Sequence, residues 1–371
     1  MLNVAAFCAI SLILIWFGYP LLVAGLAAAF GANRPQPDPS RRHVSVVIAT
    51  RDPVEVIAAR VDDLLAADYP AELLEVIVAL DHSGTVRPAA FSGLDSRVKV
   101  IDGHLPGGKA STLNAGVAAS RGAILVFADA AQRFEASTIA RLAAALGDPR
   151  LGAVSGALQI GRSGAPATLA ERYWIFEKWL RRQEARLHSS VGVTGAVYAM
   201  QRSCWHPLPS GLILDDVYAP MSLVLRGYRV GFDPDALAYD ERRFAPGQEF
   251  KRKARTLTGV LQLCSWLPDV LLPWRNPIWA QFVFHKLLRL LTPYLLMVMA
   301  VAVLIWVGRS LGAADPRLAV GATVGAGVAL ALLVAASRRV REGLVMAVAM
   351  QAAMIRATVN GMRGRWDVWS R

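Results

Sequence analysis

The chain has 371 residues, of which 54% are hydrophobic and 18% charged, with a formal net charge of +12 and a mean hydropathy of +0.38. It is too apolar for an ordinary soluble protein of this size. The positive charge finds no recognition motif, zinc spacing or basic-aromatic pattern to direct it at nucleic acid, so anionic lipid and phosphate are the better partners. Cys8, Cys204 and Cys264 lie far apart without metal-ligand spacing, and they predict neither a disulfide nor a zinc site.

Residues 1–33 carry no charge, a stretch longer than the ~20 residues a spanning helix needs, and predict a transmembrane helix. A cleavable signal peptide would want a basic start and a shorter apolar core. Residues 34–43, with Pro35-Gln-Pro-Asp-Pro39, form a stiff linker. A soluble domain follows over 44–262. Val44–Thr50 is an apolar strand running into Arg51-Asp52, Val54–Ala67 has helical apolar spacing, and Tyr69-Pro70 stops that helix. Val76–Leu80 is a second strand running into Asp81, Val98–Ile101 a third, and Ala110–Ala119 a helix. Then Ala123–Ala128, six apolar residues, form a strand that ends in Asp129. The alternation predicts an α/β fold with a doubly wound, Rossmann-like sheet. A single Asp after a strand is most simply a cap or turn former. Three strands aiming Asp52, Asp81 and Asp129 at one crevice instead predict a site for cations, riboses or phosphates, because the open strand edge is where such sheets bind ligands.

Between the third strand and its helix, Gly103-His-Leu-Pro-Gly-Gly108-Lys109 matches G-x-x-x-x-G-K. Ala110 follows in place of the magnesium-binding hydroxyl, and Pro106 interrupts the loop. Lys109 is left as either a functional cation or a solvated one. Tyr173–Glu184 predicts a helix with aromatic and basic faces, or one lying along the membrane surface, and Thr194–Met200 is apolar and β-prone. Asp215-Asp216 opens a helix over Val217–Arg226; adjacent acids there are usually caps that complement the dipole. Lys251–Arg255 places four cations in five residues, a solvated or lipid-facing run or the partner of a diphosphate. Residues 263–289 read as an interfacial segment, with Trp266–Trp279 a possible roof for the site. Spans follow at 290–308 and 318–337, then an interfacial helix (or fourth span) and basic tail at 342–371. Three basic clusters, at Arg34, Arg41 and Arg42, at Lys286 and Arg289, and at Arg338, Arg339 and Arg341, fit the cytosol, which puts the N-terminus outside and the tail inside.

Taken together, Val44–Thr50, Asp81, Gly108-Lys109, Asn114, Asp129, Asp215-Asp216 and Arg255 resemble, in order and approximate spacing, the membrane-bound family 2 glycosyltransferases, such as cellulose and hyaluronan synthases. The resemblance covers roughly residues 44–260 plus the terminal helices. It implies a GT-A fold that takes an NDP-sugar donor on the cytosolic side of a bacterial-type inner or plasma membrane. It also implies a lipid or glycan acceptor, and other polysaccharide-synthesis proteins as possible partners. Thr50, Asp52 and Asp81 would then contact the nucleoside, and Asp129 the diphosphate through divalent Mg or Mn. Asp216 would be the general base beside Asp215. Arg255, with Arg252 and Lys109, would hold the leaving diphosphate. The sequence departs from the family at Ala131, where D-x-D has its second acid, at Leu214-Asp215 in place of Thr-Glu, and at Thr256 and Arg252, where the synthases have Trp and Gln. A P-loop phosphotransferase and a non-catalytic sugar-nucleotide-binding scaffold remain the alternatives.

Overall fold

A computed structural model of the chain describes residues 1–31, 38, 41–161, 169–242, 246–312 and 337–366. The span expected at 318–337 therefore lies, but for its last residue, outside the described residues.

Among the described residues the strands are β1 (Val44–Thr50), β2 (Leu74–Leu80), β3 (Val98–Asp102), β4 (Ile124–Ala128), β5 (Arg133–Phe134), β6 (Leu151–Ile160), β7 (Val197–Gln201) and β8 (Arg229–Asp240). They form one sheet in the order β3-β2-β1-β4-β7-β6-β8-β5. The first four are parallel, and the expected doubly wound alternation holds there: β2 and β4 are buried along their whole length. Their apolar runs are what a strand covered on both faces requires. Past β4 the sheet is mixed. Strand β7 runs antiparallel to both β4 and β6, while β6 and β8 are parallel to each other. Neither β6 nor β8 was expected from sequence.

Helices α2 (Val54–Leu65), α3 (Lys109–Ala119), α4 (Thr138–Ala145), α5 (Leu169–Leu187) and α6 (Asp215–Leu225) flank the sheet. Two separate apolar clusters, one containing Val46, Ile48, Ile57 and Val126 and the other Val47, Leu113, Phe127 and Met221, cover its two faces. Helix α3 comes close to β1 because residue 116 is Gly: a Cβ there would lie 2.5 Å from Val47 Cγ1. This close seat fixes where Lys109, the first residue of α3, can reach.

Among the described residues, three helices are long and apolar enough to cross a membrane: α1 (Leu2–Phe30), α8 (Trp279–Ser310) and part of α9 (Arg338–Met362), the last over Val340–Met362. Helix α8 is continuous from Trp279, so residues expected to be interfacial belong to it. The first half of α1 packs beside α8; its second half, Tyr19–Phe30, lies along α5, with Tyr19 also stacked on Phe284 of α8. At that junction Tyr19 donates to Glu184 at 2.6 Å, His285 lies 2.8 Å from Glu184 and 2.9 Å from Glu177, and Arg289 pairs with Glu177. Helix α7 (Pro246–Trp266) carries the expected cationic run and packs against α9.

Candidate active site

The C-terminal edge of the parallel strands carries the predicted acids side by side. Thr50 ends β1, and its hydroxyl donates to Asp52 Oδ2 at 2.8 Å and accepts the Asp52 N–H at 3.0 Å. Asp81 follows β2, which neighbours β1. Its Oδ1 accepts from Ser83 N, Ser83 Oγ and Gly108 N at 3.0, 3.1 and 3.0 Å. Asp81 thus ties down the Gly-rich loop, in which Gly107 and Gly108 take φ of +93° and +87°, values that favour glycine. Because the Gly108 N–H is directed at Asp81, this loop does not offer the phosphate cradle that a P-loop needs.

From the end of that loop Lys109 reaches across to β4 and α6. Its Nζ lies 3.2 Å from Asp129 Oδ1 and 3.5 Å from Asp215 Oδ2. The side chain of Asp215 is 9% exposed and that of Asp129 38% exposed, so Asp129 is the carboxylate open to a ligand. Neither acid of the pair caps α6: the N-cap is Leu214, and no side chain bonds there. The expected capping role gives way to a buried tertiary ion pair.

Side-chain amides hold the loop that delivers these acids. Asn114 of α3 donates to Leu208 O and accepts Leu208 N, both at 2.8 Å. Gln262 of α7 accepts Ile213 N at 2.8 Å and donates to Gly211 O at 3.0 Å. Gly259 lets α7 sit against Ile213 and Leu214; an added Cβ would lie 2.5 Å from Leu214 Cγ. This seating brings the half-buried Arg255 to the cluster, where the charges of Asp216, Asp215 and Asp129 act on it, although burial lowers its proton affinity. Arg252 stays on the exposed face of α7.

Residues 45–205 match the family described as Glycosyl transferase family 2. They form a family 2 glycosyltransferase domain. Among solved structures, the mannosyltransferase PcManGT from Pyrobaculum calidifontis, in complex with GDP-Man and Mn2+, is 24% identical. The match covers 98% of this chain and 99% of that one, with a TM-score of 0.71. GalNAc-T7 with UDP, GalNAc and Mn2+ is 16% identical over 55% of this chain and 44% of that one, with a TM-score of 0.43. S. aureus TarS is 17% identical over 59% and 65%, with a TM-score of 0.40. No curated protein sequence matches the chain. The fold is of the GT-A type, and the chain is a glycosyltransferase.

At this site the proton affinity of Asp216 is raised. Burial, followed by the adjacent Asp215 carboxylate, pushes Asp216 up to about 6, while Lys109, Arg181 and Lys286 pull the other way. For Lys109, burial favours the neutral amine, but Asp129, Asp215 and Asp216 outweigh it and hold the ammonium charged. Three parts of this site went unrecognised in the sequence. Arg181 of α5 is buried, donates to Thr194 Oγ1 at 3.3 Å and lies over the Trp174 ring. The Ser190–Ala196 loop wraps Asp216: Val193 N donates to Asp216 O at 2.9 Å, and a Cβ on Gly195 would sit 3.4 Å from Asp216 Oδ2. Tyr198 stacks on Phe127 with its hydroxyl buried and, among the described residues, unbonded. The paired glycines Gly192 and Gly195 were the one legible signal of a close approach. Among the described residues, no group of three or more His, Cys, Asp or Glu is placed to hold a metal ion alone.

The environment of Asp216 sets its own test. An infrared titration of the purified protein, taken as the difference from Asp216→Asn, is expected to show a carboxyl with a midpoint near pH 6. In Asp215→Asn the midpoint should fall, because a like charge has been removed. A midpoint in the ordinary Asp range, unmoved by Asp215→Asn, would place Asp216 in solvent and contradict the geometry.

Proposed function

We propose that this glycosyltransferase is an inverting enzyme that moves a sugar from a nucleotide-diphosphate sugar to a lipid or polysaccharide acceptor at the cytosolic membrane face, in envelope or exopolysaccharide synthesis. The convergence of Asp129, Asp215 and Asp216 on Lys109, at the strand edge of a family 2 domain, carries the reading. Asp216 accepts the proton of the acceptor hydroxyl. The new bond forms at the anomeric carbon as the bond to the diphosphate breaks, and the NDP leaves with that electron pair. Above about pH 6 Asp216 is ionised and able to act as base. Arg255 and Lys109 face the negative charge that develops on the diphosphate, with Arg252 at the outer rim. Thr50, Asp52 and Asp81 line the nucleoside end of the same edge.

Asp129 is a single, accessible carboxylate, and Ala131 offers no second one. Such a donor fits Mg2+ or Mn2+, hard ions held through one or two carboxylates with the substrate phosphates completing the shell. When bound, the ion would supply further charge neutralisation at the diphosphate.

The membrane arrangement we propose has three crossings, with the N-terminus outside and the domain and tail cytosolic. Asn360 Nδ2 donates to Thr258 Oγ1 at 3.2 Å, and Trp366 packs on the core of the catalytic domain. These contacts support an even number of crossings between the start of α8 and Trp366. Either 318–337 or Val340–Met362 supplies the return. A cysteine probe at position 370 should be labelled only after permeabilisation; labelling from outside would mean that the tail is exported.

Turnover tests the chemistry. Purified full-length protein is offered a panel of NDP-sugars, beginning with GDP-mannose, the donor named with PcManGT, and including UDP-sugars, with and without Mg2+ or Mn2+. Release of NDP is expected with at least one donor, and Asp216→Asn should slow it by a factor on the order of 10² or more while leaving donor binding intact. Equal rates for the parent and Asp216→Asn would remove the base assignment. NDP-sugar binding without turnover of any donor would identify a scaffold instead.

A further inference from the structure

A second charged cavity lies away from the candidate active site. Its volume is about 280 Å³, and Asp148, Arg150, Arg182, Arg186, His188 and Arg229 supply its polar lining. Leu151 and Arg229, the first residues of β6 and β8, are register partners at its floor. Strands β6 and β8 run in the direction of β4, since β7 is antiparallel to both β4 and β6. The cavity therefore opens at the sheet edge opposite Asp129.

Its charge is one-sided. Arg150 forms a fork on Asp148, with Nη2 2.6 Å from Oδ2 and Nε 2.9 Å from Oδ1, so that pair neutralises itself. Among the described residues, Arg186 bonds only the neutral amide of Gln183, at 3.1 Å. Among the described residues, Arg182 and Arg229 form no salt bridge, and Arg229 Nη1 is buried without a hydrogen-bond partner. A buried guanidinium N–H left unbonded is unfavourable, and an acceptor brought from outside would offset that cost. His188 adds a neutral donor. Burial and the charge of Arg229 lower its proton affinity. The Ser189 hydroxyl accepts Val230 N at 3.0 Å, leaving its own hydrogen for His188 Nδ1 at 3.0 Å. The imidazole proton then sits on Nε2.

We infer that this cavity binds a phosphate-bearing anion, with Arg182, Arg186 and Arg229 as the charged donors. Its size is close to the lower end of small-ligand pockets, roughly 300–1,000 Å³, and suits a phosphate or diphosphate group. Guanidinium forks match phosphate geometry, and three cations facing a single self-paired acid leave the cavity with net positive charge. Two sources carry this chemistry. One is a soluble phosphate compound. The other is a lipid headgroup, since Ser189, next to His188, accepts through its carbonyl from Gln281 Nε2 at 3.2 Å, and Gln281 lies in the apolar helix α8.

The test uses the full-length protein. In detergent, calorimetry with inorganic pyrophosphate compares the parent with Arg182→Gln/Arg186→Gln, with Arg182→Gln alone as a milder variant on the exposed helix face, and with Arg255→Gln at the candidate active site. In nanodiscs, native mass spectrometry compares retention of phosphatidylglycerol with that of phosphatidylcholine by the same proteins. A pyrophosphate-binding step that Arg255→Gln retains, with affinity at least tenfold lower in the double variant, would establish the site with a soluble ligand. Selective retention of phosphatidylglycerol by the parent, lost in the double variant, would establish it with a lipid headgroup. Neither probe distinguishing the folded double variant from the parent, or binding lost only in Arg255→Gln, would overturn the proposal.

Discussion

The candidate site depends on the Lys109 ammonium held between Asp129 and Asp215. Asp129 ends a central strand and Asp215 starts a helix, and Asp216 stands beside them, so three carboxylates converge in a space from which water is partly excluded. Without a cation, mutual repulsion and desolvation would drive these groups apart or protonate them. The position of Lys109 is in turn a packing result. Gly116 seats α3 on β1, Asp81 pins the Gly-rich loop, and Asn114 and Gln262 fix the segment leading to Asp215 from two sides. The chemistry is thus built from contacts that are each ordinary in kind, but that meet at one ammonium group.

A second ionic assembly links this site to the apolar helices. Glu177 and Glu184 of α5 take His285 and Arg289 of α8, and Glu184 also takes the Tyr19 hydroxyl of α1. Groups buried this deeply gain little net stability by pairing, but losing one partner leaves a stranded charge at a cost of about 3–5 kcal/mol. The network therefore specifies how the helices seat on the domain more than it strengthens the fold. Helix α5 also carries Arg181, bonded to Thr194 in the loop around Asp216. One rigid helix thus connects the apolar anchors to the candidate base.

Much of the first half was legible because strands buried on both faces read as continuous apolar runs, and because the acids that end β1, β2 and β4 fall on neighbouring strands. Strands β6 and β8 were not legible. Leu151–Ile160 is rich in Gly, Ala and Ser, and Arg229–Asp240 is interrupted by Asp and Pro, so neither shows the run or the alternation of a strand; their pairing with each other, and of β6 with β7 and β8 with β5, decides their state. Asp215 and Asp216 looked like helix caps because capping is local, whereas the partner of Asp215 is Lys109, distant in the chain. Arg181 had no signal at all. Its helix read as aromatic and basic, and only the tertiary fold separates the buried Arg181 from the exposed Arg182 beside it.

The most direct test of the clamp is a double-mutant cycle on NDP release, comparing the parent, Lys109→Met, Asp215→Asn and the double variant at saturating donor. If Lys109 serves by holding the acids together, the double variant should be no slower than the slower single variant, with a coupling energy of about 1 kcal/mol or more. Losses that simply add, with coupling near zero, would show that the two residues act independently and that the ammonium is not what assembles the site.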